Sequence, residues 1–321
     1  MLGGILAFCS AITFAISNAA VRRGVLSGSA LQAMAMSIPI GVPVFLVALL
    51  AGGAPGAIAG LPQRAVIAFA VTGTTHFVIG RYANYRAIGA VGTNLAWPVL
   101  QFNLVVSLAL AIAFLGETMT PLRIAGIVLI FGGPVVVSRE TARRSHSAHQ
   151  LDFTPLHAEG YLCAALAALC YGLTPVLVRY AAQGRGLEAT LAGGLISATS
   201  ATVVVTLLLL AAPGQWRAIR NVNLGAAKWF LFSAVTVYIS QLFYYMGLAF
   251  APVTIIAPIA ALNNILRIYA SRWLNPRHEV FGPEVTIATI LSFLGVVLLS
   301  LSADILPLPP AWARVLAWHW P

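Results

Sequence analysis

The sequence predicts an all-α integral membrane protein: ten transmembrane helices arranged as two inverted five-helix repeats. Three observations carry this. First, the 321 residues are 60% hydrophobic and only 8% charged, with a mean hydropathy of +0.91, whereas a soluble domain carries roughly 25% charged residues. Second, ten apolar runs approach the ~20 residues that cross a bilayer core: 3–21, 30–52, 64–88, 92–115, 121–138, 158–180, 188–211, 229–249, 253–274 and 284–302. Third, the chain repeats itself. Offset by 162 residues, Glu117, Pro121, Leu129, Phe131, Gly133 and Ser138 fall on Glu279, Pro283, Leu291, Phe293, Gly295 and Ser300. Offsets of 160 and 157 lay Tyr85, Pro98 and Asn103 on Tyr245, Pro258 and Asn263, and Gly3, Ala7, Val21 and Arg22 on Gly160, Ala164, Val178 and Arg179. An odd number of helices per copy starts the second copy on the opposite face. The copies are therefore inverted, related by a pseudo-two-fold axis in the membrane plane with a cavity near the midplane.

The expected organisation is a first repeat over 1–138, a polar linker over 139–157, a second repeat over 158–302 and an interfacial tail over 303–321. The first run lacks the basic segment of a cleaved leader and has an internal counterpart, so it reads as a retained helix. The turn Ala51-Gly52-Gly53-Ala54-Pro55-Gly56 closes the second run. On the third run, Arg81 stands near Tyr82 and Tyr85, with His76 a turn earlier as a candidate titrating group or a core histidine. The fourth places Asn94, Trp97 and Gln101 on one face. It also carries Pro98, which with its counterpart Pro258 removes a backbone hydrogen bond at similar depth in each half. Glu117 and Glu279 end their runs just before a turn and are expected to cap the N-terminus of the next helix.

The linker holds three arginines and three histidines between Arg139 and Glu159, without helical metal spacing. On the sixth run Tyr171, Thr174 and Pro175 cluster, with Asn18 the counterpart of Pro175. On the seventh, Gly193, Ser197 and Ala201 form a face of small residues suited to close packing. The eighth carries Gln241, counterpart of Arg81, among Tyr238, Tyr244 and Tyr245. The ninth holds Arg267 near its middle, where an arginine costs roughly 2.5–3.5 kcal/mol on insertion scales. Asn263, Asn264 and Ser271 share much of its face. The tail ends in Trp312, Trp318 and Trp320, too short to span and suited to an interface.

From Trp97-Pro98 through Leu115-Gly116-Glu117, Pro121 and Gly126 to Gly133, the chain resembles the EamA-like branch of the drug/metabolite transporter superfamily, and the similarity extends over both halves. The second copy departs from the pattern, with Asn275-Pro276-Arg277-His278 before Glu279. The resemblance implies a secondary carrier or exporter of small metabolites held between the halves. It also implies termini in the cytoplasm. The basic residues argue the reverse: only Arg64, Arg123, Arg179, Arg185 and Arg314 fall on the face of the termini, and most others fall opposite. Both orientations stand open.

The expected function is transport, by export or exchange, of small anionic or amino-acid-like metabolites through alternating access, one half rocking against the other. The expected location is the plasma membrane, the inner membrane of a bacterium. The candidate substrate contacts are Arg267, Asn263, Asn264, Arg81, Tyr82, Tyr85, Trp97, Gln101, Tyr171, Gln241 and Tyr245. Arg267 is read either as a contact for an anionic group or as a cation satisfied by backbone carbonyls or snorkelling to the interface; the first reading expects Arg267→Ala to abolish transport. No cofactor or metal is expected. The expected partners are a small-molecule solute and the lipid bilayer; nucleic acid is excluded, because the +10 charge is scattered between apolar runs, and a homodimer is left open. The alternatives are a membrane-embedded enzyme or a non-transporting scaffold. Against the first stands the absence of His-Glu-x-x-His, paired intramembrane carboxylates or a Cys/His cluster. Cys9, Cys163 and Cys170, an odd number inside apolar runs, read as small core residues.

Overall fold

The structure is a computed structural model that describes residues 1–25, 27–91, 96, 99–117, 119–122, 124–129, 132, 156–182 and 184–274, with 287, 290, 291, 294, 295 and 298. Its elements are all helices. Five are long and apolar enough to cross a membrane: Leu2–Val21, Ala30–Ala51, His157–Ala182, Gly186–Ala211 and Leu224–Phe250. The other expected spans are segmented, or described only in part.

In chain order the helices are α1 (Leu2–Val25), α2 (Ala30–Ser37), α3 (Gly41–Ala51), α4 (Gln63–Thr72), α5 (Arg81–Val91), α6 (Phe102–Leu115), α7 (His157–Ala182), α8 (Gly186–Ala211), α9 (Pro213–Arg220), α10 (Leu224–Phe250), α11 (Val253–Ala260) and α12 (Asn263–Leu274). A short 3-10 turn at Ile38–Ile40, carrying Pro39, joins α2 to α3. A π-helical segment, Gly73–Gly80, joins α4 to α5. Its cause lies in a run of threonines. Thr72, Thr74 and Thr75 each donate their hydroxyl to a carbonyl four residues back, Ala68, Ala70 and Val71. Such back-bonding competes with the regular ladder, and a π turn accommodates the extra residue.

Two sequence expectations change here. The run 253–274 is not one helix: it breaks after Ala260, two residues past Pro258, and resumes at Asn263. Proline cannot donate to Thr254, which loosens the turn that follows. The stretch between the seventh and eighth spans, read from the sequence as a loop, contains helix α9. Half of the fifth span, most of the tenth, the linker from 139 to 155 and the tail lie outside the described residues, as do Trp97, Pro98 and Glu279.

The most extensive interface joins the two ends of the sequence. Helix α1 packs along α10, and α7 packs along α4, the π segment and α5. The α1–α10 seam is antiparallel, with steps of seven on both helices: Gly3 meets Gly247, Ser10 meets Ser240 and Ser17 meets Ser233. Ser17 donates to the Ser233 carbonyl at 3.0 Å and Ser233 returns the bond to Ser17 at 3.1 Å. In lipid there is little apolar driving force between helices, so small residues and interhelical hydroxyl bonds must hold such seams. The opposite face of α1 carries Leu2, Ile5, Phe8 and Ile12, all exposed, while Ala7, Ala11, Ala15 and Ala19 are buried. Bulk faces outward and small residues face inward.

Behind these pairs, α8 closes tightly on α3, α4 and the π segment. A Cβ on Gly73 would lie 2.1 Å from the Ser197 carbonyl oxygen, and Ser197 donates its hydroxyl to the Phe69 carbonyl at 2.7 Å. Gly193 and Gly194 admit the rings of Phe69 and Phe45 in the same way.

Candidate functional site

Eight of the described helices form two bundles, each drawing on both halves of the sequence, with α8 packed against both. One comprises α1, α10, α11 and α12; the other comprises α4–α5, α6 and α7. A cavity of about 120 Å³ lies between them. The first bundle contributes Asn18, Gln241 and Asn263 to its wall, and the second contributes His76, Asn84 and Tyr171. Several wall residues are repeat counterparts, as Phe14 is of Tyr171 and Asn103 of Asn263. The cavity thus draws on counterpart positions of both repeats.

The π segment places His76 between the bundles. His76 Nδ1 lies 3.0 Å from Thr174 Oγ1 on α7, and its Nε2 lies 3.2 Å from Gln241 Nε2 on α10. Tyr171 stacks at a tilt against the imidazole, ring centroids 4.8 Å apart. The break after Ala260 frees a carbonyl that Asn263 Nδ2 caps at 2.8 Å. No carboxylate lines the cavity among the described residues. Its wall is built from carboxamides, hydroxyls and rings, so it is polar without formal charge. Four of these carboxamides (Asn18, Asn84, Gln241 and Asn263) each keep one buried polar atom without a partner among the described residues. An orphaned buried group costs about 1–3 kcal/mol, so this wall favours a solute or water that satisfies it. The volume is well below the ~300–1,000 Å³ of pockets for drug-sized ligands. It suits a small molecule.

Of the sequence-predicted contacts, the wall contains Gln241, Asn263, Tyr171 and His76. It does not contain the two arginines. Arg81 is 5% exposed, donates from NH1 to Ser37 Oγ at 3.0 Å and lies over the rings of Phe77 and Tyr238, at 5.2 and 5.4 Å from their centroids. It ties the third span to the second. Arg267 is half-buried on α12, outside the wall. Tyr82 is 44% exposed on the outer surface, which removes it from the site. Tyr245 is fully buried against Phe45 and donates to Ser197 Oγ at 3.2 Å, a packing role. Tyr85 and Gln101 are also outside the wall. The Asn264 side chain, Trp97, Pro98 and Glu279 lie outside the described residues; Pro258 is buried within α11. Asn84, Ser10 and Ser240 were missed, since a lone asparagine or serine in an apolar run carries no periodic signal.

Glu117 caps a helix, but not the next one. Gly116, at φ +63°, ends α6, a left-handed conformation that suits glycine. The Glu117 carboxylate then accepts from the backbone N–H of Val253 and of Thr254, both at 2.8 Å. It caps α11, in the other half of the sequence. At the same end of the molecule, Arg179 on α7 donates to the Leu248 carbonyl at 2.6 Å. Both ties join the two bundles beside the cavity.

Comparison with known proteins accords with the duplication. Residues 1–139 and, separately, 158–301 each match the sequence model of the EamA-like transporter family. A solved crystal structure shares the fold at a TM-score of 0.66 and 18% identity, over 93% of this chain and 96% of that one. No curated protein matches the chain.

Proposed function

The chain belongs to the EamA-like transporter family, and from that premise we propose that it is a secondary carrier, exporter or exchanger, of small amino-acid-like metabolites, working by alternating access around the cavity between the two bundles. Membership makes it a membrane transporter of the drug/metabolite transporter superfamily. Its expected place is the plasma membrane, the inner membrane of a bacterium. The observation that carries the proposal is the cavity itself: polar, uncharged, and walled by counterpart residues of both repeats.

The sequence reading had one five-helix half rocking against the other. The packing argues for different moving bodies. Separating the halves would tear the α1–α10 and α6–α7 seams, the broadest among the described residues, and the α5–α7 seam after them. Separating the cross-half bundles breaks local ties instead: His76–Gln241, Glu117–Val253/Thr254, Arg179–Leu248 and the contact of Arg81 with the Tyr238 ring. We take the bundles as the bodies that swing. Inverted repeats make the opposite state a mirror of this one, and the sequence counterparts of Glu117 and Arg179, namely Glu279 and Arg22, are suited to the same work at the other face.

The anionic preference is not carried forward, since neither arginine lines the cavity. The test is counterflow in proteoliposomes: full-length protein loaded with a labelled extract of cellular small metabolites and diluted into unlabelled extract. Selective exchange of a subset of the pool is expected; exchange no greater than in protein-free liposomes rejects the transport proposal.

A further inference from the structure

One backbone carbonyl sets the hydrogen-bond polarity of the cavity wall. The Thr174 hydroxyl has a single hydrogen, and it is donated to the Cys170 carbonyl at 3.0 Å. Toward His76 Nδ1, 3.0 Å away, Thr174 Oγ1 can only accept. Nδ1 therefore carries hydrogen. With the Arg81 guanidinium on the same helix run and no carboxylate in the wall among the described residues, a second cation would have nothing to offset it, and we assign the neutral imidazole with a bare Nε2. The Gln241 atom at 3.2 Å from Nε2 must then be the amide nitrogen, which donates. Gln241 Oε1 is left as an acceptor with no partner among the described residues, on a side chain only 6% exposed.

Asn263 reaches the same state independently. Its Nδ2 is committed to the Ala260 carbonyl, so its Oδ1 is the orphan. Asn84 Oδ1 is a third such acceptor, on a side chain 7% exposed. Among the described residues of the wall, Asn18 Nδ2 is the one orphaned donor.

We propose that the cavity binds its solute by an N–H donor head, an ammonium or primary amide, held by the carboxamide oxygens of Gln241, Asn263 and Asn84, with an acceptor oxygen of the solute on Asn18. The proposal gives the transport reading a substrate class and rests on it for its biological meaning. Thr174 and His76 are positioning residues: they fix which end of the Gln241 amide faces the solute. A zwitterionic amino acid and a neutral amide share the head, and a trimethylated amino acid lacks it. Sites built to hydrogen-bond a group reject analogues that lack it far more strongly than apolar pockets reject a missing methylene.

The test measures thermal stabilisation of the purified full-length protein by alanine, propionamide and alanine betaine, the N,N,N-trimethyl form. Stabilisation by alanine or propionamide at concentrations at least about ten-fold below those needed for the betaine is expected, a difference of roughly 1.4 kcal/mol. Alanine alone points to an ammonium head, propionamide alone to an amide. Equal responses, preference for the betaine, or no response to either N–H compound overturns the proposal. Thr174→Val removes the acceptor that locks His76 and should erase most of the preference, while Thr174→Ser retains it. A preference unchanged in Thr174→Val means that size alone excludes the betaine, and also overturns it. Counterflow of the metabolite pool separates the two readings: exchange of the pool with inert N–H probes sinks the substrate class and leaves transport standing.

Discussion

The carboxylate of Glu117 receives two backbone hydrogen bonds from a helix that begins 136 residues later, at Val253 and Thr254. Both oxygens are used, and the negative charge faces a helix N-terminus, where it is favoured by about 0.3–1 kcal/mol. Glu117→Gln keeps one acceptor and loses the charge and the second bond. We expect it to weaken this end of the bundle contact by about 1 kcal/mol and to raise labelling of cysteines placed beside Val253. Labelling identical to that of the parent protein rules out a closing role.

Gly73 and Gly214 offer a matched pair. A Cβ on Gly73 meets the Ser197 carbonyl at 2.1 Å, whereas one on Gly214 meets nothing within 4 Å. Gly73→Ala must move backbone and should cost at least about 1–3 kcal/mol, seen as a clear fall in Tm. Gly214→Ala should leave Tm within experimental error. Similar behaviour of the two would show that the π segment and α8 do not touch as closely as described.

Gln241→Leu removes one of the orphaned acceptors and the partner of His76 Nε2. Counterflow should fall at least about ten-fold, with Tm changed only slightly, since the relief of the orphaned Oε1 offsets the partner that His76 Nε2 loses. Asn263→Leu should act similarly but also unseat the cap on Ala260, so its Tm should fall further. Wild-type transport rates in Gln241→Leu would place the site elsewhere.

The arginines should behave as structural groups. Arg267→Ala, in a protein that inserts normally, should retain counterflow within about three-fold, because Arg267 lies outside the wall. Arg81→Lys should be poorly tolerated, because lysine reproduces neither the planar contact with Phe77 and Tyr238 nor the geometry to Ser37; Tm rather than substrate preference should register it. Abolished transport by stable Arg267→Ala would restore the anion-contact reading.

Much of the architecture was legible because lipid makes it so. Low charge, long apolar runs and the repeat of Glu117, Pro98 and Asn103 are one-dimensional signals. The site was legible only where a polar residue stood out against an apolar run, as Gln241, Asn263 and Tyr171 do. Arg81 and Arg267 stood out more, yet neither lines the cavity; a buried cation can be answered by rings or a hydroxyl, as Arg81 is, and no sequence period marks such partners. The partner of Glu117 was illegible for a related reason. A carboxylate at a helix end shows that it caps something, while which helix depends on how the halves interlock.

The α1–α10 seam has a consequence for the order in which the molecule is made. Ser10 and Ser17 leave the ribosome with the first helix, and their partners Ser233 and Ser240 follow more than 200 residues later. At ~5–20 residues per second, that gap is on the order of tens of seconds. Helix α7, by contrast, finds α4 and α5 already in the bilayer when it arrives. Helix α1 is therefore made long before its main neighbour, and over that interval its two serines lack their partners on α10.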